Sequence, residues 1–307
     1  MSVPEAQRAQ VCTLIADPAA RELGPSDVQA AARALAAAGA EVDADDHRWL
    51  AAEIACDLPY RGVELETAGD AVRAALAERP LDVNCQLAAG RRKAVFVADM
   101  DSTIVTSETL DEMAEAVGLK DKIAAITARA MNGELDFAQA LNERVAMLEG
   151  LAEAEVKATL ERVELSRGAA TLVATLKRHG VDTALVSGGF TAIAEPVAER
   201  CGFDRVVANR LEIADGQLTG RVHTPIVDKD SKLATLDEMA RRRGVHRFAT
   251  CSVGDGANDL PMLLAAGLGV AYRAKPTVKA QARFALQHGD LTGLLYLQGY
   301  ARDDFAA

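Results

Sequence analysis

Apolar and polar positions along the 307-residue chain fall into two regimes that meet near residue 90. Before it, 11–16 (Val-Cys-Thr-Leu-Ile-Ala) reads as a strand, the Ala-rich 26–38 as a helix and 49–58 as strand material. A second helix over 68–79 and a last strand over 82–88 follow. This order predicts a small β-α-β-β-α-β module over residues 1–90, closed by the basic linker Arg91-Arg92-Lys93. Beyond the linker, short apolar runs alternate with helical segments. The run 95–99 ends in acid, 181–187 leads into Ser-Gly-Gly, and 247–255 leads into Gly-Asp-Gly. Buried strands separated by helices predict an α/β fold with a parallel, doubly wound, Rossmann-like sheet, whose ligands sit at the carboxyl ends of the strands.

The stretch 104–165 reads as several helices and lacks strand signals. A β-α-β crossover needs only one helix, so the surplus predicts an inserted helical cap over the carboxyl edge, where a lid excludes water. A smaller excursion at 206–222 carries Asp215-Gly216 between alternating apolar residues, a hairpin signal. The chain shows no internal repeat and no low-complexity tract.

Composition narrows the function. The chain is 50% hydrophobic and only 4% aromatic, as suits helices on a parallel sheet. The net charge of −11 argues against a nucleic-acid partner and means that affinity for an anion must be built locally. No apolar run approaches the roughly 18 residues of a membrane span, and Glu5 and Arg8 stand where a signal peptide is apolar. The expectation is a cytoplasmic protein without a membrane partner. Cys12, Cys56, Cys85, Cys201 and Cys251 are odd in number and form no C-x-x-C pair, so they read as reduced thiols without a disulfide or zinc role. The five histidines have no metal-ligand spacing.

Chemistry concentrates at the predicted strand ends. Asp99 and Asp101 follow the first strand directly, and two carboxylates so close call for an offsetting charge, most simply a divalent cation. An acidic strand-to-loop turn is the ordinary alternative. Asp255 and Asp259 add two acids at the same edge, and an all-oxygen set suits magnesium, which also bridges to a phosphate. Ser187, Gly188 and Gly189 can bring backbone N–H groups close to an anion ahead of a helix starting near Thr191. Lys232, on a helix running to about Arg243, is either a solvated lysine or a point charge against a phosphoryl group, and Lys229 competes for that role. On the predicted helix 136–148, Phe137, Leu141, Val145 and Leu148 form an apolar stripe, and Arg144 lies on nearly the same face. A guanidinium there needs an anion or must snorkel.

In this order the four segments resemble the haloacid-dehalogenase-type phosphatases over roughly 93–290. The closer match is to the phosphoserine phosphatases, on Asp-Met-Asp-Ser-Thr at 99–103, Ser-Gly-Gly-Phe-Thr at 187–191, Gly-Asp-Gly-Ala-Asn-Asp-Leu-Pro-Met at 254–262, and the cap residues Glu108, Met131, Phe137 and Arg144. The resemblance implies magnesium-dependent hydrolysis of O-phosphoserine to serine and phosphate, the last step of serine biosynthesis. It makes Asp99 the nucleophile that forms an aspartyl-phosphate and Asp101 the acid and base for leaving group and water. Asp99, the backbone carbonyl of Asp101 and Asp255 then hold magnesium, while Asp259 orients water on the metal from behind. Asn258 positions substrate or Asp99, and Ser187, Gly188 and Lys232 hold the phosphate. Arg144 and Glu108 match the carboxylate and ammonium of the substrate, with Met131 and Phe137 as pocket walls. Glu108 is otherwise an acid favouring a helix N-terminus. Arg167, before Gly168, departs from the small residue or proline of relatives. The N-terminal module looks like a degenerate ACT-type domain, either an amino-acid-binding module or a homodimer contact. The rivals are hydrolysis of another small phosphomonoester, phosphoryl transfer to an alcohol, and a phospho-accepting signalling receiver. The cap and Asp101 speak against the receiver.

Overall fold

A strand buried on both faces is apolar at most positions, as the first strand shows despite its buried Gln10 and Thr13. In the computed structural model, which describes residues 9–116, 118–131 and 134–306, β1 (Gln10–Ala16) is buried throughout. Cys12, Leu14 and Ala16 face α1 (Pro25–Ala37) and the later α2, while Ile15 on the other face joins the large core of the second unit. The strands β2 (Glu41–Val42), β3 (Arg48–Ala51), β4 (Ala55–Arg61) and β5 (Leu81–Leu87), with α2 (Leu65–Ala75) before β5, complete an antiparallel sheet. Its order is β2-β4-β1-β5, with β3 paired to β4. The stretch 49–58 is therefore two strands, turned at Glu53 (φ 63°). The helix α2 begins one turn earlier than periodicity suggests.

The basic linker is a clasp more than a spacer, with Lys93 buried and Arg91 largely so. Arg91 grips Asp57 with two nitrogens at 2.6 and 3.0 Å and also donates to the carbonyls of Tyr296 and Leu297. Asp82 accepts the backbone N–H groups of Gln287 and Gly289 at 2.7 and 2.8 Å. Asn84 exchanges two hydrogen bonds with the backbone of Ala285, each 3.0 Å.

The second unit is built on six parallel strands. β6 (Val95–Ala98) is followed by α3 (Thr109–Ala116), α4 (Lys120–Met131), α5 (Phe137–Ala146) and α6 (Glu153–Arg162), then by α7 (Ala169–Arg178) and β7 (Asp182–Phe190). The chain continues through α8 (Thr191–Cys201), β8 (Arg205–Asn209), the antiparallel pair β9 (Leu211–Ala214) and β10 (Gln217–Val222), and α9 (Lys229–Arg243). It closes with β11 (Thr250–Gly254), α10 (Leu260–Ala265), β12 (Leu268–Tyr272), α11 (Pro276–Lys279), β13 (Phe284–Leu286) and α12 (Gly293–Leu297). The order β13-β12-β11-β6-β7-β8 makes β6 central, because the chain fills one side of it first and then crosses to the other. Ligands collect at such a switch point. Register sets the site. Ala98 lies level with Val253 and Leu185, so Asp99, Asp255 and Ser187 emerge together at one edge.

The helices α3 to α6 leave and rejoin this unit through a paired neck. Thr106 donates to Glu164 O at 3.0 Å, and Ser166 donates to Ile104 O at 2.8 Å. The β9–β10 hairpin, turned at Asp215 and Gly216, docks on the same insertion. Leu218 receives a bond from Gly150 and gives one to Leu151, both 2.8 Å, and Glu153 donates to Gly216 O at 2.9 Å. Where the excursion containing this hairpin leaves and returns, buried Asn209 ties the ends together. It donates to Gly188 O at 2.8 Å and Val227 O at 3.1 Å, and accepts Val227 N at 2.8 Å. Among the described residues, no helix is long and apolar enough to cross a membrane.

Candidate active site

Asp99 extends β6 by one more ladder bond, its N–H meeting Val253 O at 3.0 Å, and its carboxylate Oδ1 accepts Met100 N–H at 2.8 Å. The backbone then reverses at Ser102 (φ 53°), which returns Asp101 toward the same edge. Asp101 Oδ1 accepts the N–H of Thr109, the first residue of α3, at 2.8 Å. Its Oδ2 accepts the Ser187 hydroxyl at 2.9 Å, and Ser187 Oγ in turn accepts Gly189 N–H at 2.8 Å. That crowding explains Gly189, since a Cβ there would stand 3.0 Å from Ser187 Oγ and 3.2 Å from Asp101 Oδ2. The Gly189 N–H, expected from sequence to face an anion, is thus engaged within its own loop.

Asp228 caps α9 by accepting the N–H groups of Asp230 and Ser231, and this start places Lys232 inward and Lys229 outward. Lys232 is 1% exposed, with Nζ 2.6 Å from both Asp99 Oδ1 and Asp259 Oδ1, whereas Lys229 is exposed. Burial alone would lower the Lys232 pKa, but the two carboxylates outweigh it and raise it above the ordinary lysine value. The ammonium is held charged. Asp259 Oδ2 accepts Gly256 N–H at 2.9 Å, and Gly254 leaves room for this carboxylate, because a Cβ would lie 2.3 Å from Asp259 Cγ. Asp255 accepts from Thr103 Oγ1 at 3.5 Å.

Asp99, Asp255 and Asp259 are all buried and offer ligand atoms within 4.8 Å of one another. Burial and the neighbouring Asp259 push the Asp99 carboxyl well above the usual range against the pull of Lys232. Burial, then Asp259, also raises Asp255. Three carboxylates facing one ammonium leave an excess of negative charge that a hard divalent cation would offset, and the all-oxygen donor set fits such an ion. The sequence reading assigned the metal to Asp99, Asp255 and the backbone carbonyl of Asp101, with Asp259 behind them. The structure brings Asp259 into the carboxylate group, while the Asp101 carboxylate is committed to Thr109 and Ser187.

Above this floor lies a cavity of about 180 Å³ between the sheet edge and the insertion. Asp99, Asp101, Asp255, Gly188 and Asn258 line its lower side, and Glu108, Phe137 and Arg144 face it from above. Ser187, Lys232 and Asp259 are buried beneath. Phe137, expected in the apolar stripe, is 39% exposed and its ring reaches over Gly188, where a Cβ would meet Phe137 Cζ at 3.1 Å. Leu141, Val145 and Leu148 of that stripe are buried. Glu108 accepts the Ser102 hydroxyl at 2.8 Å, and burial followed by repulsion from Asp101 raises its pKa. Arg144 donates Nε to Ala140 O at 3.1 Å and makes no salt bridge among the described residues. Its burial lowers its pKa, opposed by Asp111 and Glu108. The Met131 side chain lies outside the described residues. Sequence reasoning missed Lys275, which lines the cavity and opposes the shifts of Asp255 and Glu108. Its only local signal is its place just before the Pro276 that opens α11. Thr103 was also missed.

A profile of the haloacid dehalogenase-like hydrolase family matches residues 96–264. A phosphoserine phosphatase of Streptomyces coelicolor is 43% identical over 255 residues, spanning 82% of this chain and 62% of the relative. The chain thus covers less than two thirds of that protein. A phosphoserine phosphatase of Streptococcus thermophilus is 46% identical over 199 residues, 65% of this chain and 93% of the relative. The unliganded crystal structure of a probable phosphoserine phosphatase from Vibrio cholerae superposes with a TM-score of 0.78 at 31% identity, covering 99% of this chain and 90% of that one. With the strand-end carboxylates, the buried lysine and the parallel sheet in place, the chain belongs to the haloacid dehalogenase-like hydrolase family.

Proposed function

We propose that the protein hydrolyses O-phosphoserine to serine and phosphate through a phosphorylated Asp99. The observation that carries this reading is the pairing of a nucleophile-and-lysine floor with an acid, Glu108, and a cation, Arg144, on opposite sides of one small cavity. A phosphate on the floor leaves an ammonium and a carboxylate to be met above. The relatives' names point the same way.

In this reading Asp99 attacks phosphorus and the bond to the serine oxygen breaks, with Asp101 giving that oxygen a proton. Asp101 then takes a proton from the water that opens the aspartyl-phosphate. Thr109 and Ser187 orient its carboxylate for both steps. Lys232 holds charge against the phosphoryl oxygens, where phosphoryl transfer gains most of its stabilisation. Asp99 and Asp255 would hold magnesium, with Asp259 and the Asp101 carbonyl as further donors. When bound, magnesium would neutralise charge on the phosphate. Ser187 and Gly188 complete the phosphate cradle, and Asn258 positions substrate.

We read α3 to α6 as the cap at 104–165 of a phosphatase domain over 91–307, and residues 1–90 as an ACT-like module suited to binding a small molecule or pairing two chains. The reduced thiols suit the cytoplasm.

Phosphate release measured across phosphoserine, phosphothreonine, sugar phosphates and an aryl phosphate, with and without alcohol acceptors, tests the assignment. Preference for a sugar phosphate would overturn it, and phosphorylated acceptor would make the enzyme a transferase. Arg144→Ala should lower kcat/KM for phosphoserine by roughly 10- to 150-fold, as expected for losing a charge-assisted pair of about 1.5–3 kcal/mol. An aryl phosphate should be nearly unaffected. Equal losses on both, at unchanged thermal stability, would assign Arg144 to chemistry or closure. Magnesium added to metal-free protein should raise Tm, by about 2.7 kcal/mol of stability at a hundredfold excess over Kd. A Tm indifferent to magnesium would count against the carboxylate group as its site.

A further inference from the structure

A cavity of about 910 Å³ lies away from the active site along the terminal strand β5. Arg73 from α2, Arg283 and His288 line it, and so does Cys85. Alternation along β5 sends Asp82, Asn84 and Gln86 into bonds with the second unit, while Val83 and Cys85 pack toward the helices. On the adjacent strand β1, Cys12 is the register partner of Cys85. Directly opposed residues of an antiparallel pair have Cα atoms about 4.5–5.5 Å apart, inside the range a disulfide spans.

We infer that Cys85 and Cys12 form a peroxide-oxidisable dithiol, Cys85 reacting from the cavity wall and Cys12 resolving it from the strand behind. Cys12 is fully buried and Cys85 half-buried, so only the latter meets solvent-borne oxidant. The Cys85 thiolate attacks one oxygen of hydrogen peroxide, the O–O bond breaks, and hydroxide leaves, giving a sulfenic acid at Cys85. The Cys12 sulfur then attacks the Cys85 sulfur, the S–O bond breaks, and hydroxide departs with the Cys12 proton as water. The two thiols lose two electrons and the peroxide gains them.

The local chemistry favours this division. A hydrogen bond from Cys12 draws the Cys85 thiol below its ordinary pKa, and against the opposing effect of burial the Tyr60 hydroxyl and the Arg73 guanidinium pull the same way. Cys12 is correspondingly raised. Burial pushes Cys56 and Cys251 up to about 12 and Cys201 up to about 11, which leaves them poor competitors. An odd cysteine count without C-x-x-C conceals such a pair, because only strand register brings residues so distant in sequence together.

The test is peroxide treatment of the full chain followed by thiol titration and mass spectrometry. The free-thiol titre should fall from five to three, the intact mass should drop by two hydrogens, and a non-reduced peptide map should join Cys12 to Cys85. A thiol reductant should restore all three. In Cys12→Ser, dimedone should trap a sulfenic acid at Cys85, and in Cys85→Ser the remaining thiols should stay reduced. Peroxide that leaves Cys85 reduced while another cysteine oxidises, or a disulfide joining Cys85 to a different partner, overturns the proposal.

Discussion

Asp99→Asn should abolish phosphate release from every phosphomonoester, by on the order of 10⁴-fold or more, as when a nucleophile is lost from a covalent mechanism. The amide keeps the shape of the carboxylate beside Met100 N and Lys232 Nζ, so binding and fold should survive. Stability supplies an independent sign. Burial and Asp259 disfavour the charged form of Asp99 in the folded protein, so a neutral amide removes repulsion, and the metal-free variant should melt no lower than the parent. Retained hydrolysis, with deamidation excluded by mass spectrometry, would sink the covalent mechanism. A lower Tm would show that the carboxylate is a net stabiliser even without metal.

Lys232→Ala should slow all phosphomonoesters by roughly 10²- to 10³-fold, the usual loss on removing one charge-stabilising donor from a preorganised site. Unlike the first variant, it should also destabilise, by about 3–5 kcal/mol, because Asp99 and Asp259 are left buried without their cation. Lys229→Ala is the matched control, exposed and one turn away, and should behave as the parent. A crippled Lys229 variant beside a normal Lys232 variant would reverse the assignment. Thermal melts of all three in one buffer, with and without magnesium, separate lost charge stabilisation from lost folding.

Much of this site is legible in sequence because parallel strands end where their apolar runs end. Asp99 and Asp255 stand just past such ends, Ser187 stands where the apolar run of β7 ends although the strand itself continues to Phe190, and register aligns the three. Lys232 over Lys229 was not decidable from spacing. The capping of α9 by Asp228, which sets the helix phase, decides it. Asn209, Lys275 and Thr103 carry no usable signal in sequence, since each owes its role to contacts with elements distant along the chain. The turn within 49–58 was blurred because both strands of that hairpin are apolar enough to read as one. The grip of Arg91 on Asp57 was hidden because a basic linker looks the same whether solvated or buried.

The insertion is attached twice, at its neck and through the β9–β10 hairpin, and this limits how it could move. A lid on one hinge can swing freely. If the insertion works as a lid, it either breaks the backbone bonds at Gly150, Leu151 and Glu153 or carries the hairpin along. By pinning both ends of the excursion to each other and to Gly188, Asn209 fixes the base from which the hairpin extends. A hairpin that moved with the insertion would turn about that base, with Lys232, held by Asp99 and Asp259, beyond it. The proposed lid and the proposed phosphate-binding lysine would thus lie on opposite sides of one fixed point.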